Sequence, residues 1–215
     1  MHFSKYKAAL SQTSLSQTST RELLKIAVVL TFVASMNANG VERNSTIIGR
    51  SSLMQDCYQA SQQATLIQSA TRRDVDICDL AVTEGAVLKS DLAASYSNRG
   101  VVHVAMENYT QAYKDYNQAL KLDDELSEAY INRGNLWFVV QQYEKAIADY
   151  GKALELGTEK EAIALLNRGL AFENSGELNK AKLDYQASLN IQPNFQTALD
   201  KLDRVNKKLA SSLNE

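Results

Sequence analysis

The chain has little proline and little glycine, with one proline and nine glycines among its 215 residues. This composition argues against an all-β architecture, which needs frequent turns, and against collagen-like or low-complexity chains. Hydrophobic residues make up 45% of the sequence, which is enough to build a continuous core. Long helices packed in a single domain are therefore the favoured architecture.

An excess of either charge is also missing, since 23 basic and 25 acidic residues leave a net charge of -2. No basic stripe is present to neutralise several phosphates, so nucleic acid is not an expected partner. Histidine, the usual acid-base group near neutral pH, occurs only as His2 and His103. Phosphate-binding loops, paired metal-ligating histidines and nucleophile elbows are missing as well. We therefore expect no enzymatic activity, no cofactor and no metal.

The first 38 residues differ from the rest. Basic residues precede an apolar run at Ile26–Ala34, which gives way to small polar residues, and this order is typical of a secretory signal peptide cleaved near residues 35–38. The run is shorter than the roughly 20 residues that span a bilayer, so a stable membrane anchor is not expected. The pattern predicts a periplasmic or secreted protein. The alternative is a cytoplasmic protein with a disordered tail and an amphipathic helix.

The two cysteines, Cys57 and Cys78, bear on the same question. An even pair usually forms a disulfide in an exported protein and remains as two thiols in a cytosolic one. Two cysteines without nearby histidines cannot complete a tetrahedral zinc site. Together with the predicted export, the pair predicts a Cys57–Cys78 disulfide.

One pattern recurs three times at intervals of 34 and 35 residues, which points to a repeat architecture. Each copy has an Asn-Arg-Gly triplet, and sixteen residues after its glycine comes a tyrosine preceded by aspartate. Small residues allow two helices to approach closely, and aromatic residues fill the remaining gaps, so each unit is predicted to be a pair of amphipathic helices. The triplets and Asp-Tyr pairs are Asn98-Arg99-Gly100 with Asp115-Tyr116, Asn132-Arg133-Gly134 with Asp149-Tyr150, and Asn167-Arg168-Gly169 with Asp184-Tyr185.

These residues resemble the tetratricopeptide repeat, a 34-residue helix-turn-helix unit. The resemblance implies an all-α fold, a right-handed superhelical array of antiparallel helix pairs closed by a capping helix. The family's turn glycine is present only as Gly176, with Glu107 and Gln141 in the other two copies. We predict three repeats within residues 91–195, at 93–126, 127–160 and 162–195, a degenerate helical hairpin within 39–90 and a capping helix at 196–215.

The resemblance also implies that the chain holds another polypeptide in a concave groove. Asparagine at this point of the first helix of each repeat faces the groove in similar arrays and can hydrogen-bond a ligand's main chain. The alternative is that each asparagine only bridges neighbouring helices. The predicted peptide-binding residues are Asn98, Asn132, Asn167, Val101, Ile131, Asn135, Phe138 and Leu170.

Two further expectations follow from the repeats. The basic clamp that some family members use for a C-terminal carboxylate is absent, since its positions hold Ser97, Ile131 and Leu166. The recurring arginines and aspartates are expected to form structural ion pairs within or between units. The sequence predicts a non-enzymatic scaffold or adaptor for a peptide or partner protein, or else a structural module that self-associates through its repeat surface.

Overall fold

The structure is a computed structural model that describes residues 51–86 and 88–211. The predicted signal peptide at residues 1–38 lies outside this part of the chain. The described residues contain nine α-helices and no strand, and α2 continues into a π-helical turn at Ala81–Gly85. None of these helices is long and apolar enough to cross a membrane. The helices are α1 Ser51–Ile67, α2 Arg72–Leu80, α3 Lys89–Ala105, α4 Tyr109–Leu122, α5 Ser127–Val139, α6 Tyr143–Leu156, α7 Glu161–Asn174, α8 Leu178–Ile191 and α9 Gln196–Ser211.

The helices pack as successive pairs, which confirms the predicted all-α array. Helices α3 and α4 form repeat 1, α5 and α6 form repeat 2, and α7 and α8 form repeat 3, while α1 and α2 form an N-terminal hairpin. The first helices of the units, α1, α3, α5 and α7, pack against one another in sequence, and each second helix packs against its own partner and the next first helix. We call these first helices, together with α9, the inner layer and α4, α6 and α8 the outer layer.

Each repeat is locked by a tyrosine ring that lies directly on a glycine. A β-carbon placed at any of these glycines would lie 2.5 to 2.7 Å from the ring, closer than packed atoms allow. The tyrosines are almost completely buried, as are the alanines one turn before them. The recurring glycine is therefore required by helix-helix contact. The pairs are Gly100 with Tyr116, Gly134 with Tyr150, and Gly169 with Tyr185.

The turn inside each repeat has the same backbone conformation, whatever residue occupies it. Gly176 has a φ of 88°, and the corresponding Glu107 and Gln141 have φ values of 60° and 62°. This left-handed conformation costs a residue with a β-carbon about 1 to 2 kcal/mol relative to glycine. The repeats therefore keep the turn that the family's glycine favours, even in the two copies that have lost it.

The N-terminal hairpin is held together covalently. Cys57 of α1 and Cys78 of α2 form a disulfide, with their Cα atoms 4.6 Å apart. Both cysteines are completely buried beside small side chains such as Ala60 and Ala81. The hairpin packs on repeat 1 through contacts of α1 and α2 with α3, so it extends the array by one unit.

The last helix of the described residues, α9, occupies the place of a fifth first helix. Val205 and Ala198 of α9 are fully buried against repeat 3 and join its core cluster. Counting 34 residues on from Gly169 places Asp203 where a glycine would be needed. The side chain of Asp203 would block a tyrosine ring from lying on α9 as one lies on each repeat glycine.

Candidate functional site

The inner layer carries a line of hydrogen bonds that joins neighbouring helices. Asn132 Nδ2 donates to Ser97 Oγ at 3.1 Å, and Asn167 Nδ2 donates to Asn135 Oδ1 at 3.1 Å. Ser61 Oγ shares its hydrogen between the Tyr58 carbonyl at 2.7 Å and Asn98 Oδ1 at 3.4 Å. Each asparagine contact links one inner helix to the inner helix before it. The recurring asparagines therefore bridge consecutive units, whatever else they contact.

Two of these amides have a hydrogen-bonding group that makes no bond within the described residues. Asn98 and Asn132 are only partly buried, and within the described residues neither Asn98 Nδ2 nor Asn132 Oδ1 has a partner. One group is a donor and the other an acceptor, which are the two functions needed to bind a peptide main chain. Val101 and Val104 lie one and two turns along α3 and are also partly buried.

The other predicted peptide-binding residues are packed into the array. Five of the eight side chains are at most 7% exposed. The apolar members belong to one core cluster. Asn135 accepts from Asn167 and from the hydroxyl of Tyr150 at 2.7 Å, and burial raises the pKa of Tyr150, so that hydroxyl stays protonated. Of the eight predicted residues, only Asn98, Asn132 and Val101 are partly exposed. The buried five are Ile131, Asn135, Phe138, Asn167 and Leu170.

A paired guanidinium and carboxylate lies in every repeat. Each arginine donates from Nε and Nη2 to both oxygens of the aspartate sixteen residues later, at 2.7 to 2.9 Å. The aspartates are buried, and hydrogen bonding to Asp115 raises the pKa of Arg99. Because both oxygens of each aspartate are bonded, the pairs mainly fix helix geometry. The pairs are Arg99 with Asp115, Arg133 with Asp149, and Arg168 with Asp184.

The same arginines also reach back to the preceding unit. Arg99 Nη1 donates to Asp79 of the N-terminal hairpin at 2.8 Å, and Arg133 Nη1 donates to Asn117 of repeat 1 at 2.7 Å. In repeat 3 the corresponding neighbour is Gly151, whose position has no side chain to accept the bond. The contact between Arg99 and Asp79 ties the disulfide-bonded hairpin to the array electrostatically.

A buried carboxylate anchors α9. Glu173 of α7 has a side chain only 2% exposed, and it accepts from Tyr185, Arg204 and Lys208 at 2.7 to 2.9 Å. Burial opposes ionisation of Glu173, but the hydrogen bonds from Arg204 and Lys208 outweigh it, and the net pKa is lowered. The carboxylate is therefore ionised at neutral pH and holds α9 against repeat 3.

His103 occupies the place of Trp137 and Phe172 in repeat 1. Its Nε2 lies 3.8 Å from Asp115, and its buried Nδ1 has no hydrogen-bond partner in the described part of the chain. Burial lowers its pKa, which favours the neutral ring. Across residues 51–86 and 88–211, no group of three or more potential metal ligands comes together.

Several residues of this surface were not predicted from the sequence. Ser61 and Ser97 accept or donate the bonds that orient Asn98 and Asn132, and Glu173 holds the end of the array. One more step of 34 residues from Asn167 leads to Lys201, so the repeat spacing could have identified Lys201 as a further inner-layer residue.

The fold and these contacts define a class of protein, a helical-repeat array whose inner layer carries the accessible polar groups. Comparison with known families identifies the repeat. Residues 93–126 and 127–156 match one tetratricopeptide-repeat model, and residues 162–195 match a second. The chain is a tetratricopeptide-repeat protein. Among curated protein sequences, none matches it significantly.

Solved structures with a similar fold include peptide complexes. The first repeat domain of Spaghetti (RPAP3), bound to the HSP90 peptide SRMEEVD, is 25% identical, has a TM-score of 0.55 and covers 59% of this chain and 99% of its own. The second repeat domain of human RPAP3, in complex with the HSP70 peptide SGPTIEEVD, is 27% identical, has a TM-score of 0.50 and covers 53% and 94%. MamA from Desulfovibrio magneticus RS-1, at 16% identity and a TM-score of 0.52, covers 74% and 96% and shows likeness of fold alone.

Proposed function

We propose that the protein is a non-enzymatic scaffold that binds an extended peptide segment of a partner protein along its inner layer. The observation that carries the proposal is that Asn98 and Asn132 are partly exposed and that each has one side-chain amide group without a hydrogen-bond partner in the described residues. An amide recognises main chain and not side chain, so such a site suits extended segments of varied sequence. The peptide complexes of the RPAP3 domains support this function for the fold.

Hydrogen bonds alone do not suffice for binding. Each contributes about 0.5 to 1.5 kcal/mol net, while association costs at least about 4 kcal/mol. Apolar contact must supply the remainder, and Val101 and Val104 lie on the same helix as Asn98. The proposed surface therefore consists of α3 and α5 at the N-terminal half of the inner layer.

The test is selection of peptides from a phage-displayed library of random nine-residue segments. The wild-type protein is expected to enrich a family of peptides, and the double variant Asn98→Ala, Asn132→Ala is expected to lose them. The matched control is Asn179→Ala with Asn190→Ala, which removes two exposed amides from the outer helix α8. That control should bind as the wild type does.

A second control separates ligand binding from helix bridging. Ser97→Ala removes the bond that Asn132 makes to α3 but leaves both asparagines in place. Because Ser97 only orients Asn132, Ser97→Ala should weaken binding, and the double variant should abolish it. Equal loss of binding and of thermal stability in both would show that the asparagines act only as interhelix bridges.

Self-association is a second candidate, because apolar side chains are exposed at the C-terminal end of the array. Leu183 is 64% exposed and Ile191 of the same helix is 49% exposed. Covering them with a second copy would remove apolar surface from water. Light scattering at micromolar concentration tests this, and a monomer there rules it out.

We also propose that the protein works in an oxidising compartment, after export to the periplasm or secretion. The buried Cys57–Cys78 disulfide supports this, since disulfides are rare where thiols are kept reduced. N-terminal sequencing of the protein recovered from its native source tests the predicted cleavage near residues 35–38. An intact N-terminus together with free thiols would favour the cytoplasmic alternative.

A further inference from the structure

The C-terminal helix α9 continues the inner layer with a change of charge. Counting 34 residues on from Asn167 and Leu170 gives Lys201 and Arg204, and the same step from Asn174 gives Lys208. Helix α9 carries four basic and two acidic residues, whereas residues 51–195 carry 13 basic and 20 acidic ones. The inner layer therefore runs from amides in repeats 1 and 2 to cations at α9.

Lys201 stands at the asparagine position but lacks the partner that each asparagine has. The asparagines bond to Ser61, Ser97 and Asn135 on the preceding inner helix. On α7 the positions in register with Ser97 and Asn135 hold Leu166 and Leu170, which are buried and apolar. Lys201 is partly buried, and it makes no ion pair or hydrogen bond with the residues that the structure describes.

The charges around Lys201 leave a positive surplus. Arg204 and Lys208 are both paired with Glu173, whose carboxylate also accepts from Tyr185. Asp200 accepts a hydrogen bond from Gln196. Burial, and then the nearby Arg204, lower the pKa of Lys201, while Glu173 and Asp200 act in the opposite direction. A partly buried ammonium group without a hydrogen-bond acceptor favours binding of an anionic ligand.

We propose that Lys201 and Arg204 form an anion subsite at the C-terminal end of the inner layer, and that it takes the side-chain carboxylate of an acidic residue in the bound peptide. This inference rests on the proposed peptide-binding function. Two steps of the inner layer separate α5 from α9, which at 8 to 10 Å per step is roughly 18 Å. An extended chain covers that distance in about five or six residues. The acidic residue should therefore lie five or six residues from the segment that pairs with Asn132.

The test uses the same nine-residue library, fused at its C-terminal end so that no terminal carboxylate is free. Wild-type protein is expected to enrich peptides with aspartate or glutamate near one end. Lys201→Gln should still enrich peptides but without the acidic preference. Lys114→Gln, which removes the same charge from the exposed face of outer helix α4, should retain it.

A selected peptide then provides the quantitative test. Lys201→Gln should weaken its binding about tenfold, as expected for loss of one charge-assisted hydrogen bond. A peptide with asparagine in place of its acidic residue should bind wild type and Lys201→Gln equally. Equal weakening of both peptides by Lys201→Gln would mean that the substitution acts on the fold, and it would overturn the subsite.

The outcomes separate the two proposals. Enriched peptides without an acidic preference would overturn the anion subsite and leave the peptide-binding function standing. Failure of the wild-type protein to enrich any peptide would overturn the peptide-binding function and the subsite with it.

Discussion

The N-terminal hairpin and the three repeats hold their helix pairs together by different means. In the repeats a buried tyrosine ring lies on a glycine, and a bidentate Arg-Asp pair lies beside it. In the hairpin, Cys78 is in register with Tyr116, because Asp79 and Asn117, the residues that follow them, accept the same bond from the next unit's arginine. Cys78 is bonded to Cys57 of the partner helix. One device depends on shape and the other on a covalent bond, yet both bring two helices into close contact.

The difference shows why the hairpin is hard to recognise from the repeat pattern. Shape-dependent contact requires glycine, alanine and tyrosine at set positions, so it leaves a pattern in the sequence. A disulfide removes that requirement, and α1 and α2 keep few of the repeat residues. The covalent bond replaces the packing that the sequence pattern would otherwise have to encode.

Breaking the disulfide should have the largest effect. In the double variant Cys57→Ala, Cys78→Ala, a loop closed by a sequence separation of 21 is opened, which costs about 3 kcal/mol. Because the contact is local, hydrogen exchange should accelerate in α1 and α2 and change little in α5 to α8. Uniform acceleration over all repeats would show that the hairpin and the array unfold as one unit.

A single substitution should disrupt the packing of a tyrosine ring on a repeat glycine. Gly134→Ala places a β-carbon 2.7 Å from the Tyr150 ring, and overpacking of this kind costs about 1 to 3 kcal/mol in spite of the better helix propensity of alanine. Gly151→Ala is the matched control, because its nearest neighbour lies at 3.9 Å. Chemical denaturation should show a loss for the first variant and no loss for the second.

Acid should weaken the far end of the array. The pKa of Glu173 is below its ordinary value of 4.5, so its contribution to stability is complete above that value and is lost as pH falls through the lower folded-state pKa. Glu173→Gln should cost about 1 kcal/mol at neutral pH and reduce the acid dependence. Hydrogen exchange of α9 at pH 7 and pH 3 measures the stability cost and the acid dependence. An unchanged acid dependence in the variant would mean that groups other than Glu173 cause it.

The turn residue should have the smallest effect, and in the opposite direction. Gln141 has a φ of 62°, so Gln141→Gly relieves a backbone cost and should raise stability by up to about 1 kcal/mol. The thermal midpoint checks this, with Gln142→Gly as the control, since Gln142 has a φ of -93°. A rise in both variants, or in neither, would contradict the explanation.

The fold can be predicted from the sequence because its main contacts are repeated and local. Gly134 and Tyr150 lie sixteen residues apart in one hairpin, and the same spacing in the other copies identifies the contact. The site is less predictable. Asn132 and Asn167 occupy the same position, but Asn132 bonds to Ser97 and stays partly exposed, while Asn167 bonds to Asn135 and is buried. Exposure depends on which residues the neighbouring helices present, and no spacing rule contains that information.

The most direct test of the account is a titration of ¹⁵N-labelled protein with one library-selected peptide, followed through the side-chain amide resonances of asparagine. Binding along the inner layer predicts that the resonances of Asn98 and Asn132 shift, while those of Asn179 and Asn190 on the outer helix α8 stay unchanged. Shifts confined to α8, with Asn98 and Asn132 unaffected, would contradict it.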